Sequence, residues 1–303
     1  MKSSNIGGQA VMEGVMMRNA DKYAVAVRKT DGEIVVKTEE YKGIVQNKKI
    51  RSLPIIRGVF SFIDSMVLGM STLTYSASFF MDEEEEEKDE KKESVMMGLT
   101  IACSVVMAVA IFMILPYFLS QLFRKFTDST TLITLLEGAV RLVIFFGYIL
   151  LISRMKDIQR VFMYHGAEHK CINCIEHGME LNVENVRKSS RQHKRCGTSF
   201  LLIVMLISIV FFLFIRVDSR ILQLVLRLLL IPVIAGVSYE FIRLAGKSEN
   251  KLVIFLSKPG MMLQKLTTRE PDASMAEVAI ASVEAVFDWR AYLKENFGWQ
   301  EKV

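Results

Sequence analysis

All four histidines of this 303-residue chain, and three of its four cysteines, fall between residues 161 and 196. Within that window His165, Glu168 and His169 spell H-x-x-E-H. On a helix, positions i, i+3 and i+4 share one face. Two imidazoles one turn apart can therefore grip one cation with a carboxylate beside it. Inverzincin peptidases use this spacing, with zinc as the metal and the glutamate as general base. His193 and Cys196, in "HKRC", add further ligand types. The pattern predicts zinc, or another divalent transition metal, on His165, His169 and His193 or Cys196, with Glu168 as the catalytic base toward water.

A second ligand set competes. Cys171, Cys174, His193 and Cys196 form C-x-x-C followed by H-x-x-C, close to a structural zinc spacing with no position left for chemistry. On one continuous helix Cys171 would lie about 240° round from His165, at roughly 100° per residue. The two sets cannot share a face, so two sites, or one idle set, both stay open. His177 reads as a surface histidine.

The elements that position these residues are mostly apolar. Hydrophobic types make up 51% of the chain and the net charge is only +5, which gives no sign of a nucleic-acid-binding surface. The N-terminal residues lack the basic start and apolar core of a signal peptide, and reduced cysteines are expected. Four runs, 95–123, 131–153, 198–215 and 221–242, approach the roughly 20 apolar residues that cross a bilayer as a helix. The 154–197 link is rich in lysine and arginine, so it is expected in the cytosol. Four spans then place both termini there, in a multi-pass protein of the cytoplasmic (inner) membrane.

Four segments are expected in order. Residues 1–50 read as a small β module with a hairpin at Asp31-Gly32, where both central residues take positive φ. Residues 51–93 read as an interfacial helix, or one packed against the spans, and then an acidic linker. Residues 94–246 form the four-helix transmembrane domain with its metal-binding cytosolic loop 154–197. Residues 247–303 are a cytosolic helical segment, with an amphipathic helix opening at Pro271-Asp272 and covering the loop or the β module. The fold class is a mainly α membrane protein.

Charges within the spans are costly unless paired. Glu137 and Arg141 lie one turn apart, and Arg227 can join them as a packing network or as a polar path for an ion, proton or lipid headgroup. Glu240, at a span end, is a candidate further ligand or a partner to a ligating histidine, and Glu13, Arg18 and Gln9 are candidates for the same surface.

Several separate motifs, "GGQAVMEGVMMR", "RVFMYHGAEHK", "HKRCGTSF" and "SYEFIR", together resemble the YqhQ-like family of bacterial membrane proteins. The resemblance covers essentially the whole chain. It implies a cytoplasmic-membrane protein of unknown function, labelled a predicted metal-dependent enzyme. Carried over residue by residue, the pattern covers Gly8, Gln9, Glu13 and Arg18, then His165, Glu168 and His169, then His193, Arg195, Cys196 and Gly197. Cys171 and Cys174 are not part of it, which favours the histidine set. The expectation is an integral membrane protein with a cytosol-facing metal site, hydrolase-like, acting on a membrane lipid or a membrane-protein partner, and able to form homo-oligomers. The alternatives are a metal-stabilised scaffold and a transport accessory protein.

Overall fold

A computed structural model describes residues 2–80, 90–217, 219–248 and 250–300. Most of the acidic run, 82–89, lies outside the described residues. The chain is mainly helical and opens with four strands, β1 (Gly7–Val11), β2 (Gly14–Asn19), β3 (Lys22–Arg28) and β4 (Ile34–Glu40). Short α1 (Lys48–Ser52) and long α2 (Ile56–Ser78) follow, then α3 (Glu90–Val109), α4 (Leu115–Gln121) and α5 (Thr130–Ile152). The remaining helices are α6 (Lys156–Glu176), α7 (Val183–Lys188), α8 (Gly197–Leu213), α9 (Arg220–Lys247), α10 (Lys251–Thr267), α11 (Ala273–Glu284) and α12 (Trp289–Phe297).

These elements form two compact units. One comprises Met1–Phe80, Ile152–Leu202 and Ala235–Val303; the other comprises Met81–Leu151 and Ile203–Ile234.

In the first unit the strands form an antiparallel sheet in the order β1-β2-β3-β4. Successive side chains of a strand point to opposite faces, and both faces of β2 and β3 are apolar. Val15, Met17, Ala24 and Ala26 join a core with Tyr164 and Ile172 of α6 and Met275 and Ala279 of α11. Met16, Tyr23, Val25 and Val27 join Leu68 of α2 on the other face. A sheet covered on both sides has no solvated face, which is why these strands lack a clean apolar–polar alternation. The β3–β4 turn follows the expected Asp31-Gly32 position with a different geometry: of that pair only Gly32 has positive φ, at 90°. Lys29 and Glu33 close a longer loop, with Lys29 N donating to Glu33 O at 2.9 Å.

Helix α2 explains its own composition. Asp64, Leu68, Thr72 and Ser76 recur every four residues and are buried, as one stripe of a helix must be. Thr72 accepts from Gln9 Nε2 at 2.8 Å, and Ser76 Oγ accepts from Met12 N at 3.1 Å. Asp64 accepts from Tyr41 Oη and Ile44 N. Ile63, Met66, Val67 and Met70 are exposed. The buried polar residues therefore belong to the inward stripe, and the outward side mixes these apolar residues with small hydroxyl residues such as Ser65, Ser71 and Thr74.

Among the described residues, four helices are long and apolar enough to cross a membrane: Ile56–Ser78, Gly98–Lys125, Thr130–Ile152 and Ile221–Gly246. The membership differs from the four runs expected from sequence. Helix α2 qualifies by length and composition, whereas Gly197–Leu213 is a shorter apolar helix of 17 residues. At 1.5 Å per residue it reaches only about 25 Å, against a hydrocarbon core of about 30 Å. The Gly98–Lys125 helix carries a π turn at Ala110–Ile114, directly before Pro116. Proline lacks the N–H that the regular ladder would use, and the local rewinding accommodates it.

The C-terminal helix expected from sequence is divided into two. Asp272 caps α11, accepting from Met275 N, and Asp288 caps α12, accepting from Ala291 N. A side-chain acceptor of this kind satisfies an otherwise unpaired N–H and starts a new helix. Met275, Val278, Ala279, Ser282 and Trp289 are buried, with α11 against the sheet and α6.

Candidate metal centre

Helix α6 supplies the first two donors. His165, His169, Ile172 and Glu176 lie at spacings of four, three and four residues, which is one helical stripe. His165 Nδ1 lies 2.9 Å from the Thr267 carbonyl oxygen and His169 Nδ1 lies 2.6 Å from the Arg191 carbonyl oxygen. A carbonyl only accepts, so each Nδ1 carries a proton, and in the neutral ring that a metal would take, each Nε2 is the atom with the lone pair. This is the orienting contact that ligating histidines usually make. Gly166 permits the first of these contacts. A Cβ there would meet the Arg269 carbonyl oxygen at 2.0 Å, so a larger residue would push away the segment that carries Thr267.

Cys196, just before α8, completes the cluster. Its Sγ is 3.2 Å from His165 Nε2. Ligand atoms of His165, His169 and Cys196 all lie within 4.8 Å of one another, so one ion of ordinary bond length can reach all three. The histidine rings are 4.4 Å apart, centroid to centroid.

The electrostatics of this cluster are mutual. Burial pushes the Cys196 thiol up, but the two imidazoles outweigh it and hold the thiol well below its ordinary value. Burial also disfavours an imidazolium on His165 and His169. Cys196 nevertheless raises His165, and Glu168 with Cys196 raises His169 to about 9. Burial is the largest influence on the other pair, with Cys174 and Glu168 adding to it at Cys171, and it pushes Cys171 well above its ordinary value and Cys174 to about 12. A metal takes a thiolate, so Cys196 is the cysteine whose surroundings prepare it.

Glu168 is buried, with Oε2 3.5 Å from His169 Nε2. A cavity of about 90 Å³ is lined by His165, Glu168, His169, His193, Arg195 and Cys196, among others. That volume has room for several waters. Strand β1 roofs it: a Cβ on Gly8 would meet the Met16 carbonyl oxygen at 2.4 Å and Glu168 Cγ at 3.0 Å. The second glycine of "GGQAVMEG" is crowded first by Met16 and Met17 of β2 and then by the Glu168 side chain, which leaves no room for a Cβ.

The other candidates take different places. His193 lies outside the three-residue cluster, its ring 5.8 Å from that of His169. Gln264 brackets its backbone, accepting from His193 N at 2.8 Å and donating to His193 O at 2.7 Å. His193 Nε2 is 3.4 Å from Glu176 Oε2. Cys171 and Cys174 sit in the apolar core among α6, α7, α11 and the sheet, apart from the cluster. Glu240 is paired with Arg57 rather than placed at the cluster. Glu13 pairs with Arg160, and Arg18 donates to Ala20 O at 2.8 Å. His177 is exposed.

Sequence inspection passed over Glu176. Its carboxylate is fully buried and accepts from Ser4 N at 2.8 Å, Ser4 Oγ at 2.9 Å and Arg195 Nη2 at 2.6 Å. Burial opposes its charge, but His193 and Arg195 lower it to about 2. It ties the N-terminal residues to the segment that carries Cys196. The signal was available, since Glu176 continues the His165–His169 stripe.

A separate polar cluster occupies the second unit. Glu137 accepts from Arg141 Nη2 at 2.8 Å and also from Arg227. Arg141 also donates to Ser208 at 2.5 Å. Both guanidiniums stack on Phe212, at 5.0 and 4.9 Å, and Arg227 stacks on Tyr117 at 4.8 Å.

Comparison with known proteins gives a consistent picture. A family model described as "Protein of unknown function (DUF1385)" matches residues 53–289. The chain is 34% identical over 300 residues to "Uncharacterized protein YqhQ" of Bacillus subtilis (strain 168), covering 96% of this chain and 94% of that protein. No solved structure matches it.

Proposed function

This chain belongs to the DUF1385 family of proteins of unknown function, and from that premise we propose that it is a membrane-bound metal-dependent hydrolase with its centre on His165, His169 and Cys196. The observation that carries this reading is the convergence of two Nε2 atoms and one Sγ, with both Nδ1 atoms committed to backbone carbonyls. Two imidazoles and one thiolate suit zinc. When bound, the ion would act as a Lewis acid and would lower the pKa of a water in its open position. Three protein donors leave such a position, as catalytic rather than structural sites do.

The chain's own residues supply the rest. Glu168 borders the same small cavity and accepts a proton at its carboxylate from a water held there. Thr267 and Arg191 fix the two rings through their carbonyls. Glu176 and Arg195 hold the Cys196 segment against the N-terminal residues. Strand β1 limits the water that reaches Glu168. The excess of lysine and arginine in residues 154–197 favours a centre on the cytosolic side of the inner membrane.

Elemental analysis of the purified full chain tests the ion, and a screen of ester, amide and phosphoester substrates tests the reaction. Glu168→Gln is expected to keep the metal and lose turnover by about 10²-fold or more. A metal-loaded chain whose turnover survives that substitution would contradict the assignment of the base. Metal that supports stability with no turnover on any substrate class would favour a scaffold.

A further inference from the structure

A second cavity in the first unit, of about 800 Å³, shares His165, Arg195 and Cys196 with the small polar one. Its size is that of a pocket for a small organic ligand. Phe62 and Leu68 of α2, Val161 and Phe162 of α6, and Phe200 and Leu201 of α8 line it, with Arg18 on the β2 side. Its wall is thus apolar over most of its extent and polar where the two cavities meet.

We propose that this cavity binds the acyl chain of an anionic membrane lipid and presents the lipid's ester and headgroup region to His165 and Cys196. Three observations lead to that occupant. First, α2 and α9, which both contribute to the wall, are apolar enough to enter a bilayer. A lipid can therefore arrive laterally without crossing water. Second, the wall is mainly apolar and the volume of about 800 Å³ can hold an acyl chain, whereas a peptide would leave most of its backbone amides without partners there. Third, the cations at the wall differ in availability. Arg195 is committed to Glu176 at 2.6 Å. Arg18 lines the cavity, and among the described residues it has no carboxylate in ion-pair reach, only the Ala20 carbonyl and the Tyr41 ring at 5.4 Å. A guanidinium so placed is suited to a phosphate headgroup.

As a substrate pocket this inference rests on the metal-centre reading; as a lipid site it stands alone. The test uses the full chain in vesicles of phosphatidylcholine and phosphatidylglycerol. Either lipid carries a trace of a photoreactive group at the middle of one acyl chain. After illumination, labelled peptides are mapped by mass spectrometry. The expected result is labelling of peptides containing Phe62, Phe162 or Phe200, at least about fivefold stronger with the phosphatidylglycerol probe. Ser65→Trp fills the cavity from α2, where Ser65 is exposed and lines the wall. It is expected to cut that labelling about tenfold while metal content is unchanged. Arg18→Ala is expected to bring labelling by the phosphatidylglycerol probe down to that of the phosphatidylcholine probe, whose own labelling stays within about twofold. Labelling confined to outward apolar residues such as Met66, Val143 and Leu151, unaffected by Ser65→Trp, would overturn the proposal. Equal labelling by both probes in the unmodified chain would overturn its anionic selectivity. The same mapping on His165→Ala separates the two readings. Cavity labelling that persists in His165→Ala after its metal is lost supports a lipid site independent of the ion. An unmodified chain labelled in the cavity but holding no metal leaves the hydrolase to fail alone, and bound metal in the unmodified chain without cavity labelling does the reverse.

Discussion

Two buried polar clusters invite comparison: the His165–His169–Cys196 group of the first unit and the Glu137–Arg141–Arg227 group of the second. Both place ionisable side chains out of water. In the second, one carboxylate is shared by two guanidiniums: Glu137 bonds to both and aromatic rings cover their faces, while Arg141 Nε and Arg227 Nε are buried without a hydrogen-bond partner among the described residues. In the first, the groups are held from behind, by Thr267 and Arg191, while their donor atoms face one another beside a cavity. Charged groups turned toward one another and roofed by rings are what a packing device needs. Donors held in place but left open toward a cavity are what a ligand needs.

The comparison can be broken most forcefully at Glu137. Glu137→Ala leaves two buried guanidiniums without their anion, which is expected to cost about 3–5 kcal/mol. Thermal unfolding in detergent should show it, with metal content unchanged in whatever folds. A shift within about 1 °C would mean that the cluster is not a packing device. Glu176 comes next. Its folded pKa of about 2 lies below the ordinary carboxylate value, so its contribution is full above about pH 5 and is lost as pH falls toward 2. Glu176→Gln is expected to lower stability by about 1–3 kcal/mol near pH 7. It should also flatten the unfolding midpoint against pH between about 5 and 2, and an unaltered slope would place the acid sensitivity elsewhere.

Cysteine exchange sharpens the contrast within one helix and its neighbour. Cys196→Ser is expected to lower metal affinity at least about 100-fold, whereas Cys171→Ser should keep full metal content and cost about 1 kcal/mol of stability from a buried hydroxyl. Metal lost only with Cys171 would reverse the assignment. The smallest effect is expected at Glu13→Gln, which frees the half-exposed Arg160. Surface pairs contribute about 0–1 kcal/mol, and unfolding should barely register it.

Much of this was legible in the chain itself. Three of the four apolar runs coincide with helices long and apolar enough to cross a membrane, and H-x-x-E-H with a distant cysteine gave the three side chains that converge. What was not legible has specific causes. The Thr267 and Arg191 contacts use backbone carbonyls, which leave no trace in residue type. The choice between Cys196 and His193 depended on how the segment after α7 returns to α6, a tertiary matter. Helix α2 looked too polar for a bilayer, because the repeat Asp64, Leu68, Thr72, Ser76 does not say that a sheet covers it. Gly8 and Gly166 carry meaning only once the atoms beside them are known.

The most direct measurement is the metal content of the purified full chain by elemental mass spectrometry, beside the His165→Ala, His169→Ala and Cys196→Ser variants. One divalent transition-metal ion per chain, retained in Glu168→Gln and reduced below about a tenth in each of the three variants, is the predicted result. A chain purified without chelators that holds no such ion, or one that keeps it after all three substitutions, would contradict the account.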